Sequence, residues 1–87
     1  MFSDMSDYSE RFAKDLAAEL RAEKARKQVN DEDIAQATNT HRVSISRYLS
    51  GARPIPLTVF ADICDYLGVP PSKVIDEAEK RARGNAQ

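Results

Sequence analysis

The sequence predicts an all-α fold, a compact domain of five helices, and three observations lead to this expectation. Apolar residues recur at three- and four-residue intervals in separate segments, which is the spacing of amphipathic helices. No segment alternates apolar and polar residues in the way that a half-buried strand does. A chain of 87 residues is long enough for one hydrophobic core only.

The first helix is expected over residues 9–28. Phe12, Leu16 and Leu20 repeat every four residues, and Ser9 is suited to cap the N-terminus of the helix. Residues 1–8 show no such period and are predicted to form a mobile tail, whereas residues 83–87 are predicted to fray. These limits place the folded domain at residues 9–82.

The next segment contains two short helices joined by a tight turn. Asn30 can cap the first of them, and the acidic residues 31–33 then face the positive end of the helix dipole. The sequence at 38–40, Thr-Asn-Thr, favours a turn, after which residues 41–50 form the following helix up to Gly51. A short helix, a turn of three or four residues and a second helix make up a helix-turn-helix pattern.

Two further helices follow a proline-rich loop at residues 53–56, where each proline disfavours helix at the residue before it. Residues 58–67 carry an apolar stripe that ends at Gly68. Pro70 and Pro71 then open a fifth helix, because proline suits a first helical turn.

Composition argues against several classes of function. The net charge is −1, and no stretch approaches the roughly 20 apolar residues of a membrane span. The first residues have neither the basic nor the apolar segment of a secretory signal, so the chain is expected in the cytoplasm. His41 and Cys64 are the only residues of their types and cannot build a structural zinc site, and Cys64 is expected in the core. We expect no enzyme activity, no cofactor, no metal and no small-molecule substrate.

Charge is distributed unevenly along the chain. Residues 34–61 contain no Asp or Glu, although Arg42, Arg47 and Arg53 lie there, and the acids collect towards both ends. A local cationic surface matters more for phosphate binding than the overall charge does.

The helix at 41–50 is predicted to bury one face and to present the other to solvent. At about 100° per residue, Ile45, Tyr48 and Leu49 share the inner face. The outer face contains Val43, Ser46, Arg47 and Ser50, with Arg42 beside it. Arginine can donate two hydrogen bonds to guanine, serine can bond to base edges or phosphates, and valine can touch the methyl group of thymine. The outer face therefore favours contact with double-stranded DNA in the major groove.

From about residue 20 to residue 75 the chain resembles the lambda-repressor-like (Cro/XRE) helix-turn-helix family of small phage and bacterial transcriptional repressors. The matching landmarks, in order, are Leu20-Arg21, Ile34-Ala35, Asn39, Ile45-Ser46-Arg47, Ser50-Gly51 and Leu67-Gly68-Val69. The resemblance implies a five-helix DNA-binding domain, a recognition helix at about 41–50 and operator binding, usually as a homodimer on a two-fold site.

The resemblance also implies a set of contact residues. Those expected to read bases are Arg42, Val43, Ser46 and Arg47. Those expected at phosphates or groove edges are Thr40, His41, Ser44, Ser50 and Arg53. Asp31 stands where the family often has a phosphate-contacting glutamine, so that contact is expected to be lost or to pass to Lys24 or Lys27.

Two functions remain open at this point. The first is a sequence-specific transcriptional regulator of the repressor type, and the acid-free surface of the recognition helix favours it over the alternative. The alternative is a protein-interaction module, such as the antitoxin of a toxin–antitoxin pair, in which contact with DNA is secondary or absent.

Overall fold

The computed structural model describes residues 2–84, with side chains from residue 7 onward. Within this part of the chain there are five helices and no strand. They are α1 (Phe2–Lys27), α2 (Asp31–Thr38), α3 (Arg42–Ser50), α4 (Leu57–Leu67) and α5 (Pro71–Gly84). The predicted all-α, five-helix fold is confirmed.

The first helix begins earlier than its apolar period indicates. Helix α1 starts at Phe2 rather than Ser9, so residues 2–8 of the segment predicted to be a mobile tail are helical. The Tyr8 ring stacks on Phe12 with 6.3 Å between the ring centroids, and the guanidinium of Arg83 lies 5.0 Å from the Tyr8 ring. These contacts stabilise the extra helical turns. Met1 lies outside the described residues.

The last helix also extends beyond its predicted end. Helix α5 continues to Gly84, so residues 83 and 84 of the segment predicted to fray are helical. Arg83 supports the final turn through an ion pair with Glu79, in which Nε and Oε2 are 3.1 Å apart. Residues 85–87 of the predicted frayed segment lie outside the described residues.

Hydrogen bonds and backbone conformations of residues close in sequence determine where the first helix of the helix-turn-helix begins and ends. Asn30 caps α2, since its Oδ1 accepts a hydrogen bond from the backbone N–H of Asp33 at 2.8 Å. The Asp33 carboxylate in turn accepts from the Asn30 N–H at 3.1 Å, which completes a capping box. At the other end Asn39 has a φ of 53°, a left-handed conformation that asparagine tolerates better than most residues. The predicted cap and turn are both confirmed.

The core lies among all five helices, and α5 lies along α1. Its largest fully buried side chains are those of Leu20, Ile34, Ile45, Phe60, Ile63 and Cys64. The expected burial of Cys64 is confirmed, and desolvation together with the nearby charge of Glu23 raises the pKa of this thiol to about 11. Glu19 on α1 pairs with Arg81 on α5. This packing leaves α3 with one face on the core and the other free.

Residues 2–84 contain neither a membrane-spanning helix nor a metal-binding cluster. None of the helices there is long and apolar enough to cross a membrane. No group of three or more His, Cys, Asp and Glu side chains in the same residues is arranged to hold a metal ion.

Candidate nucleic-acid interface

The orientation of α3 is as the sequence predicts. Ile45 and Leu49 are 0% and 3% exposed, and Tyr48 is buried beside them. On the opposite side Val43 is 56% exposed and Arg47 is exposed. An exposed valine next to an exposed arginine provides both an apolar and a hydrogen-bonding contact on one helix surface. We call the side chains of Arg42, Val43, Ser46 and Arg47 the outer face of α3.

The C-terminal end of α3 is held against α1 by an interaction that the sequence did not suggest. Arg21 on α1 donates a hydrogen bond from Nη1 to the backbone oxygen of Leu49 at 2.6 Å. The last carbonyl groups of a helix carry partial negative charge and are stabilised by a cation. The chain then leaves the helix through Gly51, whose φ of 85° suits glycine. Arg21 therefore holds the C-terminal end of α3, and it lines one cavity together with Ser46 and Arg47 of the outer face.

At the N-terminal end of α3, the side chain of His41 is available to contact a ligand. His41 is the N-cap residue, yet its side chain makes no capping hydrogen bond, and it is exposed. Thr40 next to it donates its hydroxyl proton to the backbone oxygen of Thr38 at 3.1 Å. Ser44 is half-buried on the first turn. These residues line one open cavity between α2 and α3 together with Arg42.

The first turn of α2 brings an acidic residue to the outer face. Asp31 Oδ2 accepts a hydrogen bond from the Ser46 hydroxyl at 2.7 Å, and Asp31 Oδ1 is 2.7 Å from Lys24 Nζ. Desolvation by burial raises the pKa of Asp31, but the hydrogen bonds from Lys24 and Ser46 and the charges of Lys24 and Arg42 outweigh it, so the pKa is lowered from 3.8. Asp31 is therefore ionised at neutral pH.

A second, weaker ion pair lies at the start of α3. Arg42 Nε is 3.8 Å from Glu32 Oε1, and both side chains are more than half exposed. Exposed pairs of this kind contribute little to stability and are readily exchanged for other partners. The acid-free window of residues 34–61 is thus accurate for α3 itself, but the fold places Asp31 and Glu32 beside it.

The remaining predicted contact residues lie either at and just after the C-terminal end of α3 or near the end of α4. Ser50 donates to the backbone oxygen of Arg47 at 3.1 Å and accepts from the N–H of Ala52 at 3.3 Å, so its hydroxyl closes α3. Arg53 is exposed in the loop that follows. Lys27 lies elsewhere, since its Nζ is 4.0 Å from the point that a Cβ on Gly68 would occupy, at the end of α4.

The sequence model of a protein family described as a helix-turn-helix domain matches residues 15–74, which is more than half of the chain. This chain belongs to the helix-turn-helix domain family. The predicted family is therefore confirmed, and within the helix-turn-helix domain α2 is the first helix of the motif and α3 the second. Domains of this architecture bind double-stranded DNA through the second helix.

Two solved structures support the same assignment for the helix-turn-helix domain. A crystal structure of the clp gene regulator ClgR from Corynebacterium glutamicum superposes with a TM-score of 0.79 at 25% identity, covering 86% of this chain and 80% of that one. A second ClgR structure from this organism has a TM-score of 0.72 at 27% identity, covering 77% of this chain and 87% of that one. No curated protein matches the chain.

Proposed function

We propose that this helix-turn-helix domain binds double-stranded DNA sequence-specifically, with residues 42–50 of α3 in the major groove, and acts in the cytoplasm as a transcriptional regulator. The observation that carries the proposal is the exposure of Val43 and Arg47 directly opposite a fully buried stripe. Residues that pack the core cannot reach a base, whereas an exposed helix surface free of carboxylates can enter the groove. The likeness to ClgR, described as a clp gene regulator, supports a regulatory role.

Each side chain of the outer face has a role in this proposal. Arg47 and Arg42 donate to the acceptors of guanine, and Arg42 exchanges its exposed pair with Glu32 for DNA. Val43 contacts the methyl group of thymine. Ser46 bonds to a base edge. Good bidentate contacts of the arginine type contribute about 1–3 kcal/mol of discrimination against the wrong base.

Phosphate and groove-edge contacts surround these base readers. The residues proposed for them are Thr40, His41, Ser44, Ser50 and Arg53. Lys24 and Lys27 are weaker candidates, because Lys24 is paired with Asp31 and Lys27 lies beside Gly68. Such contacts set the register of the protein on the duplex but carry no sequence information.

We further propose a homodimer on a two-fold operator, and repression as the regulatory outcome. Helix-turn-helix dimers place their two recognition helices in successive major grooves about 34 Å apart. A bound dimer that overlaps a promoter blocks transcription without any additional activating surface. Analytical ultracentrifugation with and without a selected operator duplex tests the dimer, and a monomer in both conditions would contradict it.

Binding should weaken steeply as salt is raised. Phosphate contacts release counterions, so the logarithm of the association constant falls linearly with the logarithm of salt concentration, by about 0.9 for each phosphate contact. We expect this slope in mobility-shift titrations between about 50 mM and 200 mM salt. Binding that is absent or independent of salt would contradict DNA binding and would favour the alternative, a protein-interaction module such as an antitoxin.

A further inference from the structure

One carboxylate connects the three helices that meet at the outer face of α3. Asp31 on α2 uses its two oxygens on two different partners, each at 2.7 Å. Oδ1 holds the ammonium group of Lys24 on α1, and Oδ2 accepts the hydroxyl of Ser46 on α3. The side chains of Asp31 and Lys24 are only 23% and 29% exposed. Both partners are residues expected to meet DNA, and both are engaged inside the protein.

The pairing changes what Lys24 can do at a phosphate. A phosphate that approached Lys24 would also approach the Asp31 carboxylate, which repels it. The pair as a whole carries no net charge, so it releases no counterion from DNA. The pair between Arg42 and Glu32 differs, since its atoms are 3.8 Å apart and both side chains are more than half exposed. Arg42 is free to exchange partners, but Lys24 is held.

The same carboxylate changes what Ser46 can do at a base. A serine hydroxyl has one proton to donate and two lone pairs that accept. Because Asp31 takes the proton, Ser46 presents only its lone pairs to a base. In the major groove the amino groups of adenine and cytosine donate, whereas guanine and thymine present acceptors. A serine held in this way favours adenine or cytosine on the strand that it faces.

We propose that Asp31 is a positioning residue at the DNA interface: it withholds Lys24 from phosphates, which limits affinity for DNA of any sequence, and it restricts Ser46 to accepting hydrogen bonds from bases, which sets a base preference. The inference rests on the proposed DNA-binding function. A contact with phosphate raises affinity for every sequence equally, so withholding one lowers non-specific binding. The withheld contact lowers operator binding and non-specific binding alike, so discrimination between sequences comes from the base contacts, that of Ser46 included.

Asp31→Asn tests the first half of the proposal, because it keeps the shape of the side chain and removes its charge. With Lys24 released, the slope of log affinity against log salt on an unrelated duplex should steepen by about 0.9, the contribution of one phosphate contact. The gain in affinity over wild type should therefore shrink by a factor of about 3.5 when salt is raised fourfold. The same steepening is expected on the selected operator, because a phosphate contact does not depend on the base sequence.

Two further variants separate this effect from a general change of charge or stability. Asp76→Asn is the matched control, since Asp76 pairs with Lys80 on α5 at 3.3 Å and its loss changes the net charge by the same amount. It should leave the slope unchanged. The double variant Lys24→Ala with Asp31→Asn preserves the formal net charge and should return the slope to the wild-type value. Thermal melting of each variant checks that it is folded.

Base preference tests the second half of the proposal, which is that Asp31 restricts Ser46 to accepting hydrogen bonds. Selection of bound sites from a random duplex library should give adenine or cytosine at one position of each half-site for the wild type. Asp31→Ala frees the Ser46 proton, so guanine and thymine should become acceptable at that position alone. A purely structural role for Asp31 would lower affinity for all sequences together and would leave this preference unaltered.

The outcomes distinguish the role of Asp31 from the proposed function. Wild-type protein that binds no duplex would overturn both. Wild-type protein that binds with a base preference dependent on Arg47, while folded Asp31→Asn keeps the wild-type slope, would overturn only the role of Asp31. A slope for the double variant about 0.9 shallower than wild type would do the same, because Lys24 would then be a phosphate contact already.

Discussion

Arg47→Ala should weaken binding to a selected operator by about 1–3 kcal/mol, or roughly 5- to 150-fold, while the fold stays intact. Arg47 is exposed on the outer face of α3, and no buried contact depends on its guanidinium. Losing a bidentate contact to guanine removes discrimination at one base pair in each half-site. Mobility-shift titrations with the operator and with a duplex altered at that base pair would measure both effects.

Two controls make this result specific to base reading. Arg83→Ala removes the same charge from an exposed arginine on α5 and should leave operator affinity nearly unchanged. Arg47→Lys keeps the charge but lacks the planar fork of donors, so it should retain binding to unrelated DNA and lose preference for the operator. Equal affinity and equal sequence preference for wild type and Arg47→Ala would contradict the proposed role.

Ile45→Ala should have the largest effect on stability, about 2–5 kcal/mol of the free energy of unfolding. Ile45 is 0% exposed on the inner face of α3, so truncation leaves a cavity in the core. For a domain of this size each kcal/mol lowers the melting temperature by about 4–8 °C. Thermal unfolding followed by circular dichroism should therefore show a fall of at least about 8 °C.

Val43→Ala is the matched control for this experiment. It also shortens a β-branched side chain on α3, but Val43 is 56% exposed, so its free energy of unfolding should change by about 0.5 kcal/mol or less. Its effect should instead fall on operator affinity, through the lost contact with thymine. If the two variants melted alike, the assignment of inner and outer faces would be wrong.

The fold was predictable where the signals are local. Asn30 directly precedes a run of acidic residues, and its capping hydrogen bond joins it to Asp33, only three residues further along the chain. Asn39 and Gly51 end α2 and α3 in left-handed conformations that few other residues adopt. The inner face of α3 follows from helical periodicity alone, because Ile45 and Leu49 are one turn apart.

The contacts that refine the site were not predictable in this way. Arg21 reaches Leu49 across 28 positions of sequence, and Ser46 reaches Asp31 across 15. Each pair lies on different helices, so periodicity within one helix contains no information about it. Tyr8 on α1 contacts both Phe12 and Arg83. Arg83 lies near the other end of the chain, so this contact could not be read from the sequence around Tyr8. The resemblance to a family gave the motif but not these partners.

Selection of bound sites from a random duplex library, run in parallel on wild type and Arg47→Ala, tests the outer face of α3 most directly. The wild type should enrich a two-fold related motif, and Arg47→Ala should enrich the same motif with guanine lost at one position of each half-site. Identical motifs from the two proteins, or no motif from the wild type, would contradict base reading by α3.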